Sequence, residues 1–273
     1  MFTEKYEIPV EGSLPETRLC VYILDDSKDL MVDTRPLILM CPGGGYTRTS
    51  DRESEPMAMR FLAMGCHVAV LRYSCAPATY PTALLEAAWS MKWIREHAKE
   101  WHVDTERIFI AGASAGGHLA ASLGMFWHEA WLAEKIECNN DILKPAGMIL
   151  CYPVITSGEY AHRGSFENLL ANQYTEEMLE RTSLEKQVTE HTPKAFIWHT
   201  YTDASVPVEN SLLLISAMRK KNISVEFHMY PVGRHGLSVC DEQSQAADGF
   251  GIQPECATWL PLLQTWLKNF TND

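Results

Sequence analysis

Ser114 stands in Gly112-Ala113-Ser114-Ala115-Gly116, a G-x-S-x-G run. The apolar stretch Ile108-Phe109-Ile110-Ala111 precedes it and Gly117-His118-Leu119-Ala120 follows. An apolar strand, a turn of small residues and an Ala/Leu-rich helix are the setting in which such a serine is held out on a strained strand-to-helix turn. Gly112 and Gly116 lack the Cβ atoms that would collide where strand and helix cross. The helix that follows points its N-terminus at any anion developing on that side. A serine hydroxyl is a weak nucleophile at neutral pH, so acyl transfer also requires a base and a carboxylate that orients the base. G-x-S-x-G by itself is often an incidental small-residue turn, and its partners decide.

Behind such a turn the expected chain order is Ser, then Asp or Glu, then His. Asp203 follows the apolar run 195–200, and His235 follows the β-rich run 224–230 within Gly233-Arg234-His235-Gly236. An Asp ahead of a helix is ordinarily a cap, and a His between glycines is ordinarily a solvated loop residue. Their succession after consecutive strands assigns Ser114 as nucleophile, His235 as base and Asp203 as the orienting carboxylate. His118, one helical turn past Ser114, reads as structural, and His199, inside a strand, is the weaker candidate for the base. The oxyanion needs backbone N–H donors. Ala115 supplies one, and Gly44 and Gly45 in Pro42-Gly43-Gly44-Gly45-Tyr46 supply the others. That turn fails as a phosphate loop, because neither G-x-x-x-x-G-K-[ST] nor G-x-G-x-x-G follows.

The elements that must position these residues alternate. Residues 18–24 read as an early antiparallel strand, and 36–41 as a strand buried on both faces. A helix over 55–64 stops at Gly65, a buried strand covers 66–73, and a long helix follows Pro81 over 82–99. The serine turn comes next, its helix reaching about 127. Strands at 146–153, 195–200 and 224–230, a helix over 208–220 and a last amphipathic helix over 257–270 complete the rhythm. Residues 155–193 break it and read as a cap insertion with helical pieces around 165–172 and 176–184. Such alternation predicts an α/β fold with a mostly parallel sheet covered by helices on both faces, spanning 1–273 as one domain. Ligands then belong at the carboxyl ends of the strands.

Composition narrows the partners. The chain has 273 residues, 46% hydrophobic and 21% charged, and a formal net charge of −12. That charge excludes nucleic acid and anionic membrane surfaces as expected partners, since both need clustered Lys and Arg. No run approaches the roughly 20 apolar residues of a membrane span, and the first residues are charged, which predicts a cytoplasmic protein. The eight cysteines are dispersed, without zinc spacing, and read as buried free thiols. No metal site is expected. Trp127 and Trp131 could line a pocket or simply pack. The sequence leaves a homo-oligomer open.

Together these residues resemble the α/β-hydrolase esterases, in particular the branch of acetyl-xylan and feruloyl esterases with related hormone-sensitive-lipase-like enzymes. The resemblance is carried by Pro42-Gly43-Gly44-Gly45-Tyr46, Leu71-Arg72-Tyr73 with Tyr80-Pro81-Thr82-Ala83-Leu84, Gly112 to Ala120, Asp203 to Pro207 and His235-Gly236-Leu237-Ser238. It covers residues 15–270 and implies the α/β-hydrolase fold, carboxylic ester hydrolysis and no cofactor. Where the hormone-sensitive-lipase branch has His-Gly-Gly-Gly, this chain has Pro42. That departure leans toward the acetyl-xylan branch and toward an acetylated sugar or xylo-oligosaccharide as substrate. Tyr46 and Tyr73, beside these motifs, are expected to touch the substrate. The rivals are a general short-chain carboxylesterase, an arylformamidase-like or other amidase, and a binding protein that kept the fold. A peptidase of this fold usually carries a propeller domain, for which 273 residues leave no room.

Overall fold

In the computed structural model, which describes residues 1–271, eight strands form one sheet in the order β1-β2-β4-β3-β5-β6-β7-β8. They are β1 (Phe2–Glu7), β2 (Arg18–Ile23), β3 (Arg35–Cys41), β4 (His67–Arg72), β5 (Val103–Ala113), β6 (Gly147–Cys151), β7 (Lys194–Thr200) and β8 (Val225–Tyr230). The β1/β2 and β2/β4 pairs are antiparallel, and every pair from β4 through β8 is parallel. This is the α/β-hydrolase arrangement, as expected. The parallel strands are written as unbroken apolar runs because both of their faces are covered. In β6 every residue is buried, whereas β8, at the far edge, is only half-buried, with Met229 exposed.

The helices are α1 (Glu55–Ala63), α2 (Thr82–Glu96), α3 (Ala115–Phe126), α4 (Ala130–Ile136), α5 (Asn140–Leu143), α6 (Arg163–Leu170), α7 (Glu176–Thr182), α8 (Glu209–Lys220), α9 (Pro254–Ala257) and α10 (Trp259–Lys268). One face of the sheet packs on α1 and α10 through Phe61, Trp259 and Leu263. The other packs on α2, α3 and α8 through Leu84, Leu119 and Leu214. All twelve residues of α3 are buried, as expected of a helix apolar on every side. Among the described residues no helix is long and apolar enough to cross a membrane. All eight cysteines are free, and seven are buried.

Four features differ from the sequence reading, the first being α4 and α5, which fill a stretch it left without elements. Strand β1 has no counterpart in it. Five of its six residues are exposed, so Phe2-Thr3-Glu4-Lys5-Tyr6-Glu7 lacks the apolar signature of a buried strand. Helix α2 stops at Glu96, short of 99. Its last carbonyls are taken up by the turn that follows, with His97 Nδ1 donating to the Trp93 carbonyl at 2.8 Å. The final helix divides in two at Thr258, which lies between α9 and α10.

Candidate active site

Ser114 is the single residue between the end of β5 and the start of α3. Its φ of 55° and ψ of −122° are unfavourable for an L-residue, a conformation that costs on the order of 1–3 kcal/mol and survives only when its surroundings impose it. Here the Ser114 N–H donates to the Cys151 carbonyl at 3.0 Å, and the Ser114 carbonyl accepts from His118 N and Val154 N at 3.2 and 3.0 Å. The flanking glycines make the crossing possible. A Cβ on Gly112 would stand 2.0 Å from the Gly116 carbonyl oxygen, and one on Gly116 would stand 2.0 Å from that of Cys41.

The loops after β7 and β8 bring Asp203 and His235 to this serine. His235 Nε2 lies 2.7 Å from Ser114 Oγ, and Nδ1 lies 2.6 Å from Asp203 Oδ2. With Nδ1–H donating to the carboxylate, Nε2 is free to accept the serine proton. Asp203 is 5% exposed. Its Oδ1 accepts from the N–H groups of Ser205 and Val206, each at 3.0 Å. Burial alone pushes this carboxyl up. Hydrogen bonds from His199 and His235, the charge of His235 and the Val206 N–H outweigh it and hold the carboxyl well below the usual carboxylate range. His199 is fully buried, its Nε2 within 2.9 Å of the Val206 carbonyl and 3.4 Å of Asp203 Oδ2, with Ser211 Oγ on Nδ1 at 2.8 Å. It supports Asp203 from beneath and has no access to a substrate.

The glycine turn after β3 faces the serine from the other side. Gly44 and Gly45 have φ of 133° and 64°, and a Cβ on Gly44 would meet the Arg48 carbonyl at 2.1 Å. Gly44, Gly45, Ser114 and His235 share one open cleft of about 400 Å³, with Arg48, Ser50 and Asn168 on its wall. Ala115 begins α3, which places its N–H at the helix N-terminus beside the serine. From the segment expected to cap the sheet, α6 borders the cleft, and Asn168 Nδ2 donates to the Gly45 carbonyl at 2.8 Å.

Tyr46 and Tyr73 correct the sequence reading. They are 3% and 4% exposed, and neither lines the cleft. The Tyr46 hydroxyl meets His118 Nδ1 at 2.9 Å, and the Tyr73 hydroxyl donates to the Pro42 carbonyl at 2.7 Å. They brace the glycine turn from behind, because their rings are drawn into the core. His118 is itself buried, with Nε2 donating to the Thr182 carbonyl at 2.8 Å, and burial pushes its pKa down to about 4. Trp127 and Trp131 line two other hollows, of about 510 and 550 Å³, away from the serine. Among the described residues no group of three or more His, Cys, Asp or Glu could hold a metal ion.

Three residues at the site escaped the sequence reading. Glu53 is nearly buried against the glycine turn at the edge of the cleft, Tyr152 packs edge-on against His235 with ring centroids 5.1 Å apart, and His162 lines the cleft. Burial and then the charge of His235 lower the His162 pKa. A Glu in a polar connection and a Tyr after an apolar strand carry no local signal of such placement.

A serine at a strained strand-to-helix turn, on the fifth strand of this sheet, with Asp and His after the two following parallel strands, defines an α/β-hydrolase. Within that class the BD-FAE family model matches residues 27–218, and the chain belongs to that family. It is 37% identical over 218 residues to endo-1,4-β-xylanase B of Butyrivibrio fibrisolvens, covering 77% of this chain and 33% of that protein. It is 29% identical to the acetylxylan esterase of Xylanibacter ruminicola, covering 78% of this chain and 44% of the relative. The chain thus spans under half the length of these curated relatives. Among solved structures, an acetyl ester-xyloside bifunctional hydrolase from Caldicellulosiruptor lactoaceticus superposes with a TM-score of 0.80 at 35% identity, covering 92% of this chain and 87% of the other. A carboxylesterase from Lactobacillus plantarum gives 0.83 at 30% identity, covering 98% and 97%.

Proposed function

We propose that this chain is a serine carboxylic-ester hydrolase that releases acetyl or other short acyl groups from acetylated sugars or xylo-oligosaccharides. The observation that carries it is the Ser114–His235–Asp203 line of contacts at 2.7 and 2.6 Å. His235 Nε2 takes the Ser114 proton as Oγ attacks the ester carbonyl. The N–H groups of Gly44, Gly45 and Ala115 receive the oxyanion. Collapse breaks the ester C–O bond, and His235 returns the proton to the departing alcohol. Water, deprotonated by His235, then attacks the acyl-serine and frees the acid. Asp203 holds the imidazole in its working tautomer throughout.

The substrate class rests on two supports. Relatives of this family carry the names acetylxylan esterase and acetyl ester-xyloside hydrolase. The cleft is small, and Thr47, Arg48, Ser50 and Asn168 on its wall hydrogen-bond a hydroxylated alcohol better than they accommodate an alkyl chain. A fluorophosphonate should label the wild type once and leave Ser114→Ala unlabelled; equal labelling of both would remove Ser114 as nucleophile. An acyl series from acetate to octanoate, run beside acetylated xylo-oligosaccharides, tests the substrate. Turnover is expected to fall along the series, and preference for long chains would overturn the deacetylase reading.

A further inference from the structure

Glu53 is 4% exposed, and no ion pair involving it is present among the described residues. Burying a carboxylate without a counter-ion is costly unless hydrogen bonds replace its water. Two do so, and each leads to a different half of the site. Oε2 accepts from the Gly43 N–H at 2.8 Å, immediately ahead of the Gly44-Gly45 turn. Oε1 accepts from the Tyr152 hydroxyl at 2.7 Å, and the Tyr152 ring stands edge-on to His235, its plane at 75°. The Tyr152 oxygen in turn accepts from the Ser238 N–H at 2.9 Å, and Ser238 Oγ donates to the Arg52 carbonyl at 2.6 Å, which closes the loop beside Glu53. A Cβ on Gly43 would lie 2.6 Å from Glu53 Oε2 and 2.9 Å from Ser114 Cβ, so carboxylate and serine leave no room for a side chain at this position of the turn.

Resting on the serine-hydrolase reading above, we propose that Glu53 is a positioning residue whose two oxygens join the oxyanion turn to the base. Through Gly43 it aims the next two peptide N–H groups. Through Tyr152 and Ser238 it fixes the ring and loop of His235. Its oxygens are engaged by Gly43 and Tyr152, not by Ser114 or His235, so it takes no proton in the reaction. The Gly43 N–H, being occupied, is not one of the oxyanion donors. Oxyanion donors act through preorganisation, so loosening this link should weaken binding of the transition state while sparing that of the ground state.

Glu53→Gln keeps the shape but removes the charge, and its amide accepts at one end only, so either the Gly43 contact is lost or the Tyr152 hydroxyl must turn from donor to acceptor, and the link is weakened in both cases. Its kcat on p-nitrophenyl acetate is expected to fall about 10- to 100-fold with KM nearly unchanged, a fraction of what removing an oxyanion donor outright costs. Affinity for a trifluoromethyl ketone, which mimics the tetrahedral adduct, should fall by the same factor as kcat/KM, while fluorophosphonate still labels one serine per chain. Tyr152→Phe breaks the second arm alone and should reproduce the pattern more weakly; it carries the test if Glu53→Gln does not fold. Wild-type kcat/KM and ketone affinity in both variants would overturn the proposal. So would a loss matched by a lower labelled fraction with unchanged ketone affinity, because that is what a purely structural residue gives. Failure of the hydrolase reading would show differently, as hydrolysis and labelling that survive Ser114→Ala.

Discussion

At the scale of single residues, Asp203→Asn should leave the fold intact and lower kcat by about 10⁴, since the amide favours the wrong imidazole tautomer; steady-state kinetics beside thermal melts checks this. Asp203 and His235 also bear on how much of the local chemistry is legible in the sequence. Their order behind Ser114 is readable because each follows a strand end, and the structure brings the three within hydrogen-bonding distance. Glu53 and Tyr152 were not readable. Their meaning lies in contacts between residues 99 positions apart, which no local pattern encodes. For Tyr46 and Tyr73 the expectation of substrate contact fails for the opposite reason. Adjacency to a motif placed them near the site without fixing which side of the backbone their rings take. His118 gives a pH prediction. Its folded pKa of about 4 lies below the ordinary 6.5, so the unfolded chain gains a proton first as pH falls. Stability conferred by the neutral ring is complete above about 6.5 and is lost as pH falls toward 4, by about 3 kcal/mol in all. Urea unfolding across that range should show the slope, and His118→Gln should reduce it while leaving the share of His67, which burial also lowers to about 4. Because Asp203 is held in the carboxylate form well below the usual range, its own loss of stabilisation belongs to a more acid range.

At the scale of elements, the buried strands and α3 announced themselves as apolar runs, whereas β1 did not. Strand β1 is held by its register with β2, from Phe2 opposite Ile23 to Glu7 opposite Arg18, and by one half-buried side chain, Tyr6, whose ring lies 5.2 Å from that of Trp93. Pairing between separated segments is what a single-chain pattern conveys least. The serine turn belongs to this scale too, because its strain is sustained by the closeness of β3, β5 and α3. Gly116→Ala would drive a methyl to 2.0 Å from the Cys41 carbonyl and 2.4 Å from that of Pro42. Both obstacles are backbone, so α3 must shift. The expected result is a destabilisation of at least about 2–3 kcal/mol with loss of most activity, measured by denaturant titration and ester turnover.

At the scale of the whole molecule, the sheet order explains why residues 121 positions apart meet, as the centre and the rim present their loops to one cleft. The thiols are a whole-molecule property as well. Burial pushes Cys66 and Cys256 up to about 11 and Cys75 to about 12, so little thiolate is exposed at neutral pH. A disulfide reagent is expected to react slowly with the native protein, beginning at the half-buried Cys138, and to count eight thiols after denaturation. Reaction of all eight in the native state would contradict this packing.

Ser114 and His235, the proposed nucleophile and base, are anchored with unequal firmness. Ser114 follows a strand with neighbours on both sides and opens a helix buried along its length, while His235 follows β8, the outermost strand, paired on one side only. Amide hydrogens of β8 should therefore exchange with solvent through small openings that leave β5 protected. Each such opening would carry the imidazole away while the serine stays in place. Turnover would then register the fraction of time the rim is closed. On gentle warming, activity should fade and return before the bulk of the molecule melts.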